Sequence, residues 1–388
     1  MRAPDNVGVG NAHATVSFDA WKEGCVGQSE VVVAVEPATP WKPRPVSPQL
    51  KATIDLDTGK AVWGLAFHPD GNIVAAADSD SPVVRRWDLA QLREQVAIQT
   101  EGGMFSLAYS PDGQTLVTSH FRHEQRRFKE NGELVSRNEW DGGITLWDAC
   151  SGKLNTSLRH IPGRGVCRIA LSPDGTTVAA AEVWSEDDGR VQRNQVSLWD
   201  VAAGTVRNHL SIDASSIAFA CDSPILATAS DKVQLWDSTS GKELATLPRP
   251  KEHDYPVNSL AFAPDGQTLA GADYRGDLYL WDVPRRTLRL SLKHGEGQHR
   301  ITGLAFAPDS RTLAGTAGVL GRSESGAVDR LQPQVVFWDA ATGEQRTILT
   351  APPGSLVSLV FSPDGKTLAT GGVGVVLLWD VADEVKGR

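Results

Sequence analysis

The sequence predicts an all-β chain of seven tandem units, and three observations carry that prediction. A Trp-Asp dipeptide recurs at Trp87-Asp88, Trp147-Asp148, Trp199-Asp200, Trp236-Asp237, Trp281-Asp282, Trp338-Asp339 and Trp379-Asp380. A turn block precedes six of them: Phe67-His68-Pro69-Asp70-Gly71, Tyr109-Ser110-Pro111-Asp112-Gly113, Leu171-Ser172-Pro173-Asp174-Gly175, Phe262-Ala263-Pro264-Asp265-Gly266, Phe306-Ala307-Pro308-Asp309-Ser310 and Phe361-Ser362-Pro363-Asp364-Gly365. Proline sets φ for the second position of a tight turn and glycine accepts φ > 0 near its end, so each block reads as a hairpin turn. The flanking stretches, such as Val257-Asn258-Ser259-Leu260-Ala261-Phe262 and Val196-Ser197-Leu198-Trp199, place large or β-branched apolar residues at alternate positions. That is the period of a strand with one buried face.

In chain order, residues 1–36 precede the repeats. Two strand-like runs, 13–18 and 30–35, flank a glycine-containing stretch and suggest a short N-terminal β extension. A lone hairpin is marginal in water, so this one is expected to pair with another chain or to be the tail of a larger β domain. Pro37, Pro40, Pro43, Pro45 and Pro48 make 37–49 a stiff, extended linker. Residues 50–388 hold the repeats. The fourth departs from the others, with Phe219-Ala220-Cys221-Asp222-Ser223-Pro224 in place of the turn block.

Seven Trp-Asp pairs in register with their turns resemble the WD-repeat family, over roughly residues 50 to 385 and with near-consensus units of bacterial type. Spacings run from 37 residues (Trp199 to Trp236) to 60 (Trp87 to Trp147), around the roughly 40–45 typical of this repeat. The resemblance implies a four-stranded antiparallel blade per unit and a seven-bladed β-propeller. Small-residue runs such as Val74-Ala75-Ala76-Ala77 and Leu226-Ala227-Thr228-Ala229-Ser230 are too short for helices and are read as inner strands at the crowded axis. A further strand follows each of the first six Trp-Asp pairs, but residues 381–388 are too short and charged to supply one. Leu50-Lys51-Ala52-Thr53-Ile54-Asp55-Leu56 copies the missing pattern, so an N-terminal strand is expected to close the ring and remove two open edges. In this family the Trp can join a hydrogen-bonded chain with a Ser/Thr, a His and an Asp. Here only His253 stands at the expected distance before its strand, so that network reads as degraded.

The length of 388 residues would suit two or three domains, yet a propeller grows by adding blades within one domain. A net charge of −9 argues against nonspecific nucleic-acid binding, which needs a clustered basic surface. No apolar run is long enough to span a bilayer and the N-terminus lacks the apolar core of a signal peptide, so a cytoplasmic, membrane-free protein is expected. Cys25, Cys150, Cys167 and Cys221 have neither metal-site spacing nor a disulfide pattern.

Three connections between the second and third strands of a unit are longer than a hairpin needs: residues 120–142, 182–195 and 317–334. In the family's fold they share one face, and long loops on a rigid scaffold are where binding residues gather. The first carries Arg122, His123, Arg126, Arg127 and Trp140, the second Trp184, Glu186, Asp187 and Arg190, and the third Arg322, Asp329 and Arg330. Aromatic residues with arginine are frequent anchors of protein interfaces. These twelve are the candidate partner-binding residues, for a protein or peptide. His120-x-x-His123 offers two imidazoles where a tetrahedral metal needs four ligands. No nucleophile elbow, phosphate-cradling loop or H-E-x-x-H motif occurs. The expectation is a noncatalytic, monomeric scaffold without metal or cofactor. The alternative is an enzyme acting on a small molecule at the central channel, which a convergence of His, Asp and Glu there would favour.

Overall fold

The computed structural model describes residues 50–385 except 101, 131–132, 163, 187–190, 251–254, 293–298, 323–327, 331–332, 353 and 355. The expected N-terminal hairpin, the proline-rich linker and His253 lie outside the described residues. Seven antiparallel sheets follow in sequence, each with four strands in order and with one extra short strand in the first and the sixth. The protein is a seven-bladed β-propeller.

The first strands of the blades are Val62–Phe67, Gly103–Tyr109, Arg164–Leu171, Ser216–Phe219, Val257–Phe262, His299–Phe306 and Leu356–Phe361. Each packs against the first strand of the next blade, and that of blade 7 packs against that of blade 1. The first strands therefore line the axis. This corrects one expectation: the alanine-rich runs lie in second strands, Ile73–Asp78 and Ile225–Ala229. A second strand is covered by neighbouring blades on both faces, and in blade 5 all of Thr268–Asp273 is buried. Small side chains fit that two-sided burial.

Closure follows the expected route. Leu50–Asp55 runs antiparallel to Val375–Asp380, from Leu50 opposite Trp379 to Asp55 opposite Val375. Seven apolar clusters fill the seams between successive blades. The seam between the last blade and the first unites Val376 and Leu378 with Val62, Val74 and Trp87. Ser358 Oγ donates to the Val62 carbonyl at 2.6 Å across the same junction.

The turn blocks adopt the expected geometry, with Gly71, Gly113, Gly175, Gly266 and Gly365 at φ between 68° and 78°. Ser310 takes this left-handed conformation at 58° without being glycine. The Trp-centred network is better preserved than its missing histidines suggest. The indole N–H groups of Trp147, Trp236 and Trp379 donate to Thr118, Thr228 and Thr370 at 2.9, 2.9 and 3.0 Å. Each threonine sits on a second strand two positions along from the tryptophan's cross-strand partner, so strand periodicity puts both side chains on one face.

Candidate functional site

The connections between second and third strands open on one face of the disc, opposite the turn blocks. Two of the three long ones are continuations of the sheet, not the loops expected. In blade 2, Thr115–Glu130 and Glu133–Asp148 form one ribbon paired from Thr115 opposite Asp148 to Glu130 opposite Glu133. Along it Arg122 faces Asp141, His123 faces Trp140, and Arg126 faces Arg137. At the ribbon's base, a Cβ on Gly142 would sit 3.0 Å from the Arg164 carbonyl and the Gly165 Cα. Glycine there lets the ribbon seat closely on blade 3.

Blade 3 extends in the same way, with Thr177–Glu186 paired to Val191–Asp200, Trp184 opposite Arg193 and Glu186 opposite Val191. Asp187 and Arg190 lie outside the described residues. The Arg164 guanidinium lies 4.1 Å over the Trp184 ring and ion-pairs with the buried Glu182 at 2.9 Å. Gln195 donates to the same carboxylate oxygen at 2.8 Å. In blade 6, Thr312–Arg322 pairs with the short Val328–Arg330, placing Asp329 opposite Gly321 and Arg330 opposite Leu320. Blades 2 and 3 are neighbours, whereas blade 6 stands three blades from either, across the ring. The ten candidate residues that are described thus lie on strands in two sectors of one face.

A second feature of this face escaped the reading of the repeats. The Arg168 guanidinium lies 5.5 Å from the Trp63 ring. Their strands belong to blades 3 and 1, which are separated by blade 2 in the ring, so the two side chains meet across the bore. Tyr274, from blade 5, adds to the electrostatics felt by Arg168. Arg300, from blade 6, stacks on Tyr274 at 4.4 Å. Beside them Arg275 lies 4.1 Å over Tyr255 and donates to its hydroxyl. Four blades thus contribute an aromatic and cationic cluster at the channel mouth. Burial pushes the Arg168 guanidinium below its usual range, and Cys167 and Tyr274 offset part of that effect.

The sequence did hold a signal for it. Superposed by register, Arg168 stands where the other first strands have Gly64, Ser106, Ser216, Ser259, Gly303 and Ser358. An arginine in a column of glycine and serine is out of place for packing alone. Among the described residues no group of three or more His, Cys, Asp or Glu is placed to hold a metal.

The family model described as WD domain, G-beta repeat matches residues 49–88, 241–282 and 343–380. This chain is a WD-repeat protein. The WD-repeat propeller is 28% identical over 162 residues to a protein of Schizosaccharomyces pombe named target of rapamycin complex subunit wat1, covering 40% of this chain and 46% of that one. It is 28% identical over 169 residues to small ribosomal subunit protein RACK1y of Oryza sativa, covering 40% and 46%. With the LST8 homolog of Drosophila pseudoobscura the figures are 27% over 192 residues, covering 39% and 59%. The chain spans about half the length of these relatives.

Proposed function

We propose that this WD-repeat propeller is a noncatalytic, cytoplasmic scaffold, monomeric by itself, that holds a protein or peptide partner on the face bearing the ribbons of blades 2, 3 and 6. The observation that carries this reading is the extension of the blade 2 sheet into paired strands far beyond the blade, firmly based on blade 3. Ordered edges of this kind present backbone donors and acceptors and alternating side chains to a partner chain. Two relatives named for membership of larger assemblies, a target of rapamycin complex subunit and a small ribosomal subunit protein, point the same way. No cofactor is required by this function. An acidic chain of net charge −9 is poorly suited to nucleic acid.

The test compares affinity capture by the full chain with capture by a version in which residues 121–141 are replaced by Asn-Gly, and by the Arg126→Glu/Arg127→Glu double variant. Melting temperatures should agree closely, because the replaced segment lies outside the blade cores. A specific partner should be lost with the ribbon. With an acidic partner the double variant should bind more weakly and with a shallower salt dependence. Undiminished capture after ribbon removal would place the binding face elsewhere.

A further inference from the structure

We propose that the channel mouth on the ribbon face is a carboxylate-binding site, in which Arg168 grips an acidic side chain or the free C-terminus of the bound peptide. The inference rests on the scaffold reading and specifies the partner's chemistry. Four observations support it.

The first is the position of Arg168. Packing at the axis is satisfied in the other blades by glycine or serine, so the guanidinium answers no structural need of the repeat. The second is its lack of a counter-charge. Arg168 is partly buried, and its Nη1 donates to the neighbouring Cys167 carbonyl at 3.0 Å. Among the described residues it has no carboxylate partner, and neither does Arg300 at the rim. A cation withdrawn from water without an ion pair is costly, and an incoming carboxylate relieves that cost through two charge-assisted hydrogen bonds.

The third is preorganisation. Trp63 and Tyr274 stack on the guanidinium groups, and a planar cation held on an aromatic face loses little freedom on binding an anion edge-on. The fourth is contrast. Arg164 on the same face is neutralised by Glu182 at 2.9 Å, and the buried Asp273 beneath Tyr274 is occupied by the Tyr279 hydroxyl at 2.8 Å and the backbone N–H groups of Arg275 and Asp277. The described charges around the mouth are therefore internally matched except for the cations that converge on the bore. Exposed Tyr255 and Tyr274 flank the opening as apolar contacts for the rest of the peptide.

The experiment uses the full chain and three fluorescein-labelled probes, titrated into the millimolar range by anisotropy. They are acetylated and amidated hexaglutamate, hexaglycine with a free C-terminus, and amidated hexaglycine. At least one carboxylate probe should bind and the neutral amide should not. Binding of hexaglutamate identifies a side-chain carboxylate as the ligand, and binding of the free-acid hexaglycine identifies a chain terminus. Arg168→Ser restores the residue that four other blades carry there, so its melting temperature should match or exceed that of the natural protein. Its affinity for the carboxylate probe should fall at least tenfold, and Arg168→Lys should fall less. The proposal is overturned if neither carboxylate probe binds, if the amide binds equally, if Arg168→Ser binds undiminished, or if inorganic phosphate displaces the probe at equal concentration. Ribbon-dependent capture without carboxylate binding would remove this site and leave the scaffold reading standing. Carboxylate binding without ribbon-dependent capture would do the reverse.

Discussion

The two faces of the disc handle charge in opposite ways. On the turn face each repeated carboxylate is matched locally. Asp112, Asp174 and Asp364 take the hydroxyls of Ser110, Ser172 and Ser362 at 2.5, 2.5 and 2.7 Å, and these bonds hold all three below the usual carboxylate range. The aspartates of the Trp-Asp pairs bind backbone N–H groups of the following turn, as Asp148, Asp200 and Asp237 do with Ser151, Ala203 and Ser240. On the ribbon face the arginines at the channel mouth lie on aromatic rings without ion pairs among the described residues. Chemistry that recurs from blade to blade is matched within the fold, whereas Arg168 and Arg300, which break the repeat, have no ion pair among the described residues.

The largest perturbation is at closure, because both faces exist only while the ring is shut. Deleting residues 1–56 removes the strand paired with Val375–Asp380 and opens an edge. It should cost on the order of 4 kcal/mol or more and promote aggregation, whereas deleting 1–45 should leave the melting temperature of the propeller unchanged. Equal behaviour of the two truncations in thermal denaturation would contradict closure by this strand. Closure was legible in the sequence because it required only counting strands at the two ends of the repeat array. The channel mouth was not, because Trp63, Arg168, Tyr274 and Arg300 belong to four separate blades and no local pattern relates them.

A smaller effect sharpens the account of the turn face. Burial alone would raise the Asp339 carboxyl, but the N–H groups of Thr342 and Ala341 and the guanidinium groups of Arg311 and Arg346 outweigh it and hold it at about 2. A carboxyl depressed in the folded state stabilises above its unfolded value and loses that contribution as pH falls through its folded value. Between about pH 4 and pH 2 the natural protein should therefore lose roughly 1–2 kcal/mol more than Asp339→Asn. Parallel urea-midpoint curves for the two proteins over that window would show that the carboxylate is not held as its contacts indicate.

The smallest effect is at Ser310, which holds the left-handed position of its turn block where the other blocks have glycine. Ser310→Gly relieves about 1 kcal/mol of left-handed strain, but it removes the hydroxyl that accepts the Asp265 N–H at 3.0 Å, a bond of about 1 kcal/mol. A net change below about 0.5 kcal/mol is expected by chemical denaturation from these opposed terms. A clear gain would mean that strain dominates, and a clear loss that the bond between neighbouring turns does.

The sequence by itself determined the features that depend on neighbours in the chain. Proline and glycine at fixed offsets set the turns, alternation set the strands, and the recurrence of Trp-Asp set the number of blades. Tertiary structure decided the rest. It put the alanine-rich runs in second strands, because a strand covered on both faces needs small residues as much as one at the axis does. It turned the 120–142 connection into a paired ribbon, because charged residues without apolar alternation carry little strand signal until a partner strand supplies the hydrogen bonds. It also brought Arg168 over Trp63, since side chains of blades that do not adjoin can meet only after the ring has closed around them.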